Sequence, residues 1–233
     1  MKRYLAIIGW LSCICLTSCS KKKGENPLAK NYYQQSLIAA EKNKREALVL
    51  IDKSISIEPT PRAYALKATL LHQINKYPES LELFEKVLQD PAAPATLKTD
   101  VSNNYACTLI ALGQPEKAQE IWLGLTEDRF YLSPEVAWFN LGLLQLNGIS
   151  QSATLSKKDT DQLEKAVTYF NKALKLNNDY IDCYYYLSLI LIRLKRFEEA
   201  KQNLIQIVGL MPEHENAKEL LHSIDKIKQQ TKR

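Results

Sequence analysis

The chain of 233 residues is poor in glycine, with seven, and has only nine prolines. So little of either argues against a β-sandwich, a barrel or a fold rich in glycine loops that cradle phosphate. No collagen period is present, and no block of like charge is long enough to form a nucleic-acid tail. The formal charge of +5 is small for a chain that grips nucleic acid through its backbone. No HExxH, nucleophile elbow or metal-spaced set of Cys and His occurs. Histidine is scarce, and His72, His214 and His222 stand apart in sequence. Acid pairs such as Glu198-Glu199 read as solvated faces. These absences speak against an enzyme, a metal site, a cofactor, a nucleic-acid partner and a small-molecule substrate. What remains is an ordinary globular composition, 45% hydrophobic and 24% charged.

The longest apolar run, Tyr4 to Thr17, follows the basic Met1-Lys2-Arg3. It is too short to cross a hydrocarbon core of ~30 Å, which takes roughly 20 helical residues. It has the length of a signal-peptide core. The run ends in Leu16-Thr17-Ser18-Cys19, which resembles the lipobox of bacterial lipoproteins. That resemblance implies a signal peptide over 1–18, cleavage before Cys19, and fatty acids of the palmitate class on the Cys19 thiol and new amino group. Several acyl chains on one residue make a stable anchor where one would not. Ser20, in place of aspartate, implies an outer-membrane destination facing the periplasm. Residues 19–27 then read as a polar tether, whose Lys21, Lys22 and Lys23 either touch anionic headgroups or serve as a solvated spacer. Loss of Lys2 and Arg3 with the leader leaves a formal charge of +3.

The body of the chain repeats. Small residues followed four later by a large apolar one recur as Ala47/Ile51, Ser80/Phe84, Ala118/Trp122, Ala166/Phe170 and Ala200/Leu204. In the clearest unit, from residue 181, Tyr184, Leu187-Ser188, Leu191, Phe197, Ala200, Leu204 and Pro212 fall at fixed places in a period of 34. The pattern resembles the tetratricopeptide repeat, a pair of antiparallel helices with small residues where the two cross. It implies an all-α, right-handed superhelical solenoid of about five helix pairs. The units are 28–61, 61–94, 99–132, 135–178 and 181–212, making an array over 28–212. In the first, Gln34-Gln35 stands where Leu-Gly is usual. The fourth carries about 12 extra residues over 148–160, a polar segment expected to be mobile, with Asp159 or Thr160 capping the helix that follows. Residues 213–233 read as an amphipathic capping helix and tail.

In such an array the first helix of each pair lines the concave face. That face reads as small and polar in the first two units, with Ala29, Ser36, Ala65 and Thr69, and becomes apolar toward the C-terminus. Ile110, Val136, Phe139, Leu143, Leu146, Tyr185, Leu189 and Ile192 are therefore the candidate groove for a protein partner, a peptide or an amphipathic helix. The competing reading is that these side chains are simply packed between helices. Two free cysteines, Cys107 and Cys183, are expected once Cys13 and Cys15 leave with the leader. A whole helix pair separates them, with packed helices roughly 8–10 Å apart, too far for a disulfide.

Asn103-Asn104-Tyr105-Ala106, the irregular Asp128-Arg129-Phe130-Tyr131-Leu132-Ser133-Pro134 and Asn140-Leu141-Gly142-Leu143 follow in an order that resembles the type IV pilus pilotins. These are outer-membrane lipoproteins built of such repeats. Ala106 in place of glycine and the 148–160 segment depart from their pattern. The resemblance implies a membrane-anchored scaffold that assists assembly of an outer-membrane secretin. A scaffold for another envelope complex, serving cell-wall synthesis, barrel assembly or adhesion, is the alternative.

Overall fold

The computed structural model describes residues 26–150, 152 and 154–231. The signal peptide, Cys19 and the tether up to residue 25 lie outside the described residues. Within them the chain is helical, without strands, and its eleven helices run in sequence order. Ten form five antiparallel pairs: α1 (Pro27–Lys42) with α2 (Lys44–Ile57), α3 (Pro61–Gln73) with α4 (Tyr77–Gln89), and α5 (Ala95–Ala111) with α6 (Pro115–Leu125). Next come α7 (Pro134–Leu146) with α8 (Lys157–Leu176), then α9 (Ile181–Arg193) with α10 (Phe197–Leu210). The last helix, α11 (Glu215–Thr231), packs on α10. None is long and apolar enough to cross a membrane.

Local chemistry sets the helix starts. Proline occupies one of the first two positions of α1, α3, α4, α6 and α7, where its missing N–H costs nothing. The Asn26 side chain accepts from the Leu28 N–H at 3.0 Å and so begins α1 at Pro27, one residue before the expected start of the array. Three of the turns between paired helices end in a left-handed residue, Asn75, Gly113 or Lys195. The next N–H reaches five residues back in each: Lys76 to Leu71, Gln114 to Leu109 and Arg196 to Leu191, at 2.8–2.9 Å. The first turn is shorter. Asn43 alone closes α1 with its N–H on Ala39 and caps α2 with its side chain, at φ −146°.

The crossing of each pair needs small residues. Ser36 Oγ donates to the Ala47 carbonyl, Ser80 Oγ to Ala68 and Ser188 Oγ to Ala200, at 2.8, 2.8 and 3.4 Å. Each hydroxyl therefore carries its own partner into a buried contact. Ser36 thus fills the crossing position that the repeat alignment gave to Gln35. The fourth pair uses Gly142, where an added Cβ would lie 2.6 Å from the Phe170 ring. Four apolar clusters follow along the stack. The largest runs from Leu163 to Ile224 and joins α8, α9, α10 and α11.

Candidate functional site

The inner face, made by α1, α3, α5, α7 and α9, holds the groove residues expected from the sequence, and the structure divides them. Phe139 is half-buried, with its ring centroid 5.5 Å from Phe170, 4.9 Å from Tyr180 and 5.7 Å from Tyr186. It belongs to the aromatic packing of the last two pairs. Leu143, Leu146, Tyr185 and Ile192 also pack on the large C-terminal cluster, and the Tyr185 ring lies tilted beside His214 at 5.5 Å. Val136 is half-buried. Leu189 is the most open of the set, 37% exposed. Ile110 and Leu143 are brought together, lining one cleft with Cys107, Asn140 and Asn147.

The inner face has more open room in its N-terminal half. Two clefts that share Tyr33 and Arg62 lie there. One takes in Gln34, Leu37 and Glu58, and the other Thr69, Asp100 and Asn104. Burial raises the pKa of the Asp100 carboxyl. Groove register described this region as small and polar, and three of the residues read onto it, Ala29, Ser36 and Ala65, are buried. Ala29 and Ser36 are buried at the α1–α2 crossing, where Ala29 accepts from Ser54 and Ser36 donates to Ala47. The signal that would have shown this was the one-residue shift that aligns Ser36 with Ala68 and Ser188.

Between the halves, Asn103 Oδ1 accepts from Trp122 Nε1 at 3.1 Å and from Asn140 Nδ2 at 2.9 Å. One amide thereby ties α5, α6 and α7 at the floor of the groove. A second polar link, His72 Nδ1 to Thr108 Oγ1 at 2.9 Å, joins α3 to α5. Burial lowers the pKa of His72, which keeps the ring neutral.

The described residues of the 148–160 segment are held by hydrogen bonds and apolar contacts, and the helix that follows begins earlier than expected. Helix α8 starts at Lys157, three residues before Thr160, because Ser156 caps it through a reciprocal pair with Asp159. The spacing Ser156-x-x-Asp159 was legible in the sequence as a capping box. Asp159 Oδ1 also accepts from the Ser150 N–H at 3.4 Å, and its pKa is lowered chiefly by the Ser156 hydroxyl. The Arg193 guanidinium at the end of α9 donates to the Ser150 and Ser152 carbonyls. Ile149 and Leu155 pack on the C-terminal cluster.

Cys107 and Cys183 are both free, the first half-buried and the second buried. Burial pushes their thiols up to about 11 and about 12, so neither is poised as a nucleophile. Among the described residues no three His, Cys, Asp or Glu side chains gather in a group able to hold a metal.

Comparison with known proteins fits this geometry. Residues 159–224 match the family profile of the tetratricopeptide repeat. No curated protein sequence matches the chain. Among solved structures, the chain is similar to PilF of Pseudomonas aeruginosa, at 21% identity and a TM-score of 0.69, over 89% of this chain and 87% of that one. It is similar to PilW, described as a widely conserved type IV pilus biogenesis factor, at 16% identity and a TM-score of 0.67, over 86% of each chain. YrrB, described as a TPR protein with an unusual peptide-binding site, matches at 20% identity with a TM-score of 0.51, over 84% of this chain and 91% of that one. The fold is an all-helical tetratricopeptide-repeat solenoid, an architecture suited to binding other proteins, and the repeat signature itself stands in residues 159–224.

Proposed function

We propose that this protein is an outer-membrane lipoprotein, anchored through Cys19, whose inner face holds a segment of an envelope assembly partner, most concretely a subunit of the type IV pilus secretin. The carrying observation is similarity of fold along almost the whole of two pilus proteins, PilF and PilW, by a chain that opens with a lipobox. The seat would run from the Tyr33–Arg62 clefts to the Ile110–Leu143 cleft and on to Leu189. An apolar stretch flanked by Arg62, Asp100 and Asn104 suits a peptide or helix with mixed character. Phe139 is a poor probe of this seat, since its ring supports Phe170 and Tyr186.

Two experiments test the reading. Deletion of the gene should abolish assembled secretin multimers in outer-membrane fractions, and normal multimers would exclude the secretin. Leu189→Asp combined with Arg62→Glu should remove capture of the secretin subunit while far-UV circular dichroism stays as in wild type. Undiminished capture would move the seat off the inner face.

A further inference from the structure

The two long edges of the solenoid differ in chemistry. One edge gathers the turns within pairs: Asn43, Asn75-Lys76, Gly113-Gln114 and Lys195-Arg196. The other gathers the starts of the first helices and the ends of the second, with the links between pairs. Among the described residues, the turns of the first edge expose no large apolar side chain: Ile74, Leu112 and Leu194 are half-buried, and the exposed Ile38 and Val49 stand more than a helical turn away from Asn43. The second edge exposes Leu28, Phe130, Leu132, Leu176, Leu210 and Met211.

The link between α6 and α7 shows that this exposure is built into the chain. Asp128 holds the link by accepting from the Phe130 N–H at 2.8 Å through its side chain and from the Tyr131 N–H at 3.1 Å through its carbonyl. Tyr131 is buried in the core and Thr99 Oγ1 donates to the Phe130 carbonyl at 3.2 Å. The two residues flanking Tyr131 are thereby held outward, Leu132 at 78% exposure. Arg129 lies over the Phe130 ring at 4.7 Å.

The chain enters the fold at this same edge. Asn26 caps α1 there and stands seven positions after Cys19. Seven extended residues span at most ~25 Å. We infer that this edge lies on the bilayer, so that the solenoid rests along the membrane with its inter-pair links in the headgroup layer. The inference rests on the lipoprotein reading above and adds an orientation to it. Lys30, Arg129 and Lys175 share the edge with Glu127, Asp128, Asp179 and Glu213. That mixture matches a zwitterionic surface of phosphatidylethanolamine, whose headgroups carry both signs, and gives no net pull toward anionic lipid. The contact is therefore apolar in origin and insensitive to salt.

The test uses the full-length mature protein in phosphatidylethanolamine vesicles that contain a phosphatidylethanolamine bearing a diazirine at headgroup depth. Intact mass first establishes whether Cys19 carries lipid. After illumination, cross-links should concentrate in residues 126–134 and 210–213, persist in high salt, and be lost from 74–77 and 112–115. The pair Phe130→Ser and Leu132→Asp, both on an exposed link, should remove the cross-links from 126–134 with unchanged circular dichroism. Lipid on Cys19 with cross-links confined to residues 20–25, or favouring the opposite edge, overturns the orientation and leaves the lipoprotein reading standing. An unlipidated Cys19 overturns both.

Discussion

The N-terminal and C-terminal halves of the array are built from the same helix pair but held by different means. From α8 to α11 one apolar cluster runs without interruption, and the repeat signature is detected over nearly the same residues, 159–224. The first three pairs are held by smaller apolar clusters, with polar bonds added between pairs, His72 to Thr108 and Asn140 to Asn103. The difference teaches that a recognisable repeat is the imprint of close apolar packing. Where the apolar packing is divided among smaller clusters, the signature fades while the fold persists. The same half that departs from the signature leaves open clefts on the inner face.

The largest test of this contrast is Phe170→Ala. Phe170 is fully buried at the centre of the C-terminal cluster, and such a truncation costs about 3–5 kcal/mol. Neighbour-only coupling in a repeat array predicts that hydrogen exchange speeds up across α7–α11 and stays unchanged in α1–α4. A uniform loss of protection would erase the distinction between the halves.

Gly142→Ala should follow, costing about 1–3 kcal/mol through overpacking, because its new methyl meets a ring that cannot yield freely. Urea unfolding measures it. Gly209→Ala, with open space around the site, is the control and should cost nothing of this kind.

Asn103→Ala probes the polar half. It leaves Trp122 Nε1 and Asn140 Nδ2 without their shared acceptor, at about 1–3 kcal/mol if neither finds water. A loss smaller than that of Ser156→Ala, a cap worth about 1 kcal/mol, would show the Asn103 link to be incidental.

The smallest effect is on pH dependence. The folded state raises Cys107 and Cys183 from 9.0 to about 11 and about 12. Burial is the main cause, so the unfolded chain loses these protons first. The cysteine contribution to stability should be constant below pH 9 and fall away from there toward pH 12. Cys183→Ala should make that fall shallower in thermal melts. An unchanged slope would assign it to Tyr131 and Tyr180, whose pKa values burial also raises.

Much of the architecture could be read before any coordinates. Ala47, Ser80, Ala118, Ala166 and Ala200, each fully buried, mark the crossings because a close backbone approach tolerates only a small side chain. The candidate site was less legible. Phe139 and Tyr185 sit at groove positions by register, and a linear pattern does not say whether a ring points to a partner or to Tyr180 and His214. Asp159 was assigned a cap role, and its bonds to Ser156 are local to the helix start, but its bond to Ser150 forms only when the loop folds back on α8.

The sequence by itself determined the helix pairs, their count and the small residues at their crossings, because local capping and the 34-residue period are properties of neighbouring residues. Tertiary structure decided which apolar side chains remain free. Burial depends on what the next pair brings against a surface, so Phe139 was drawn against the core, half-buried, while Leu132, beside a buried Tyr131, was left outside.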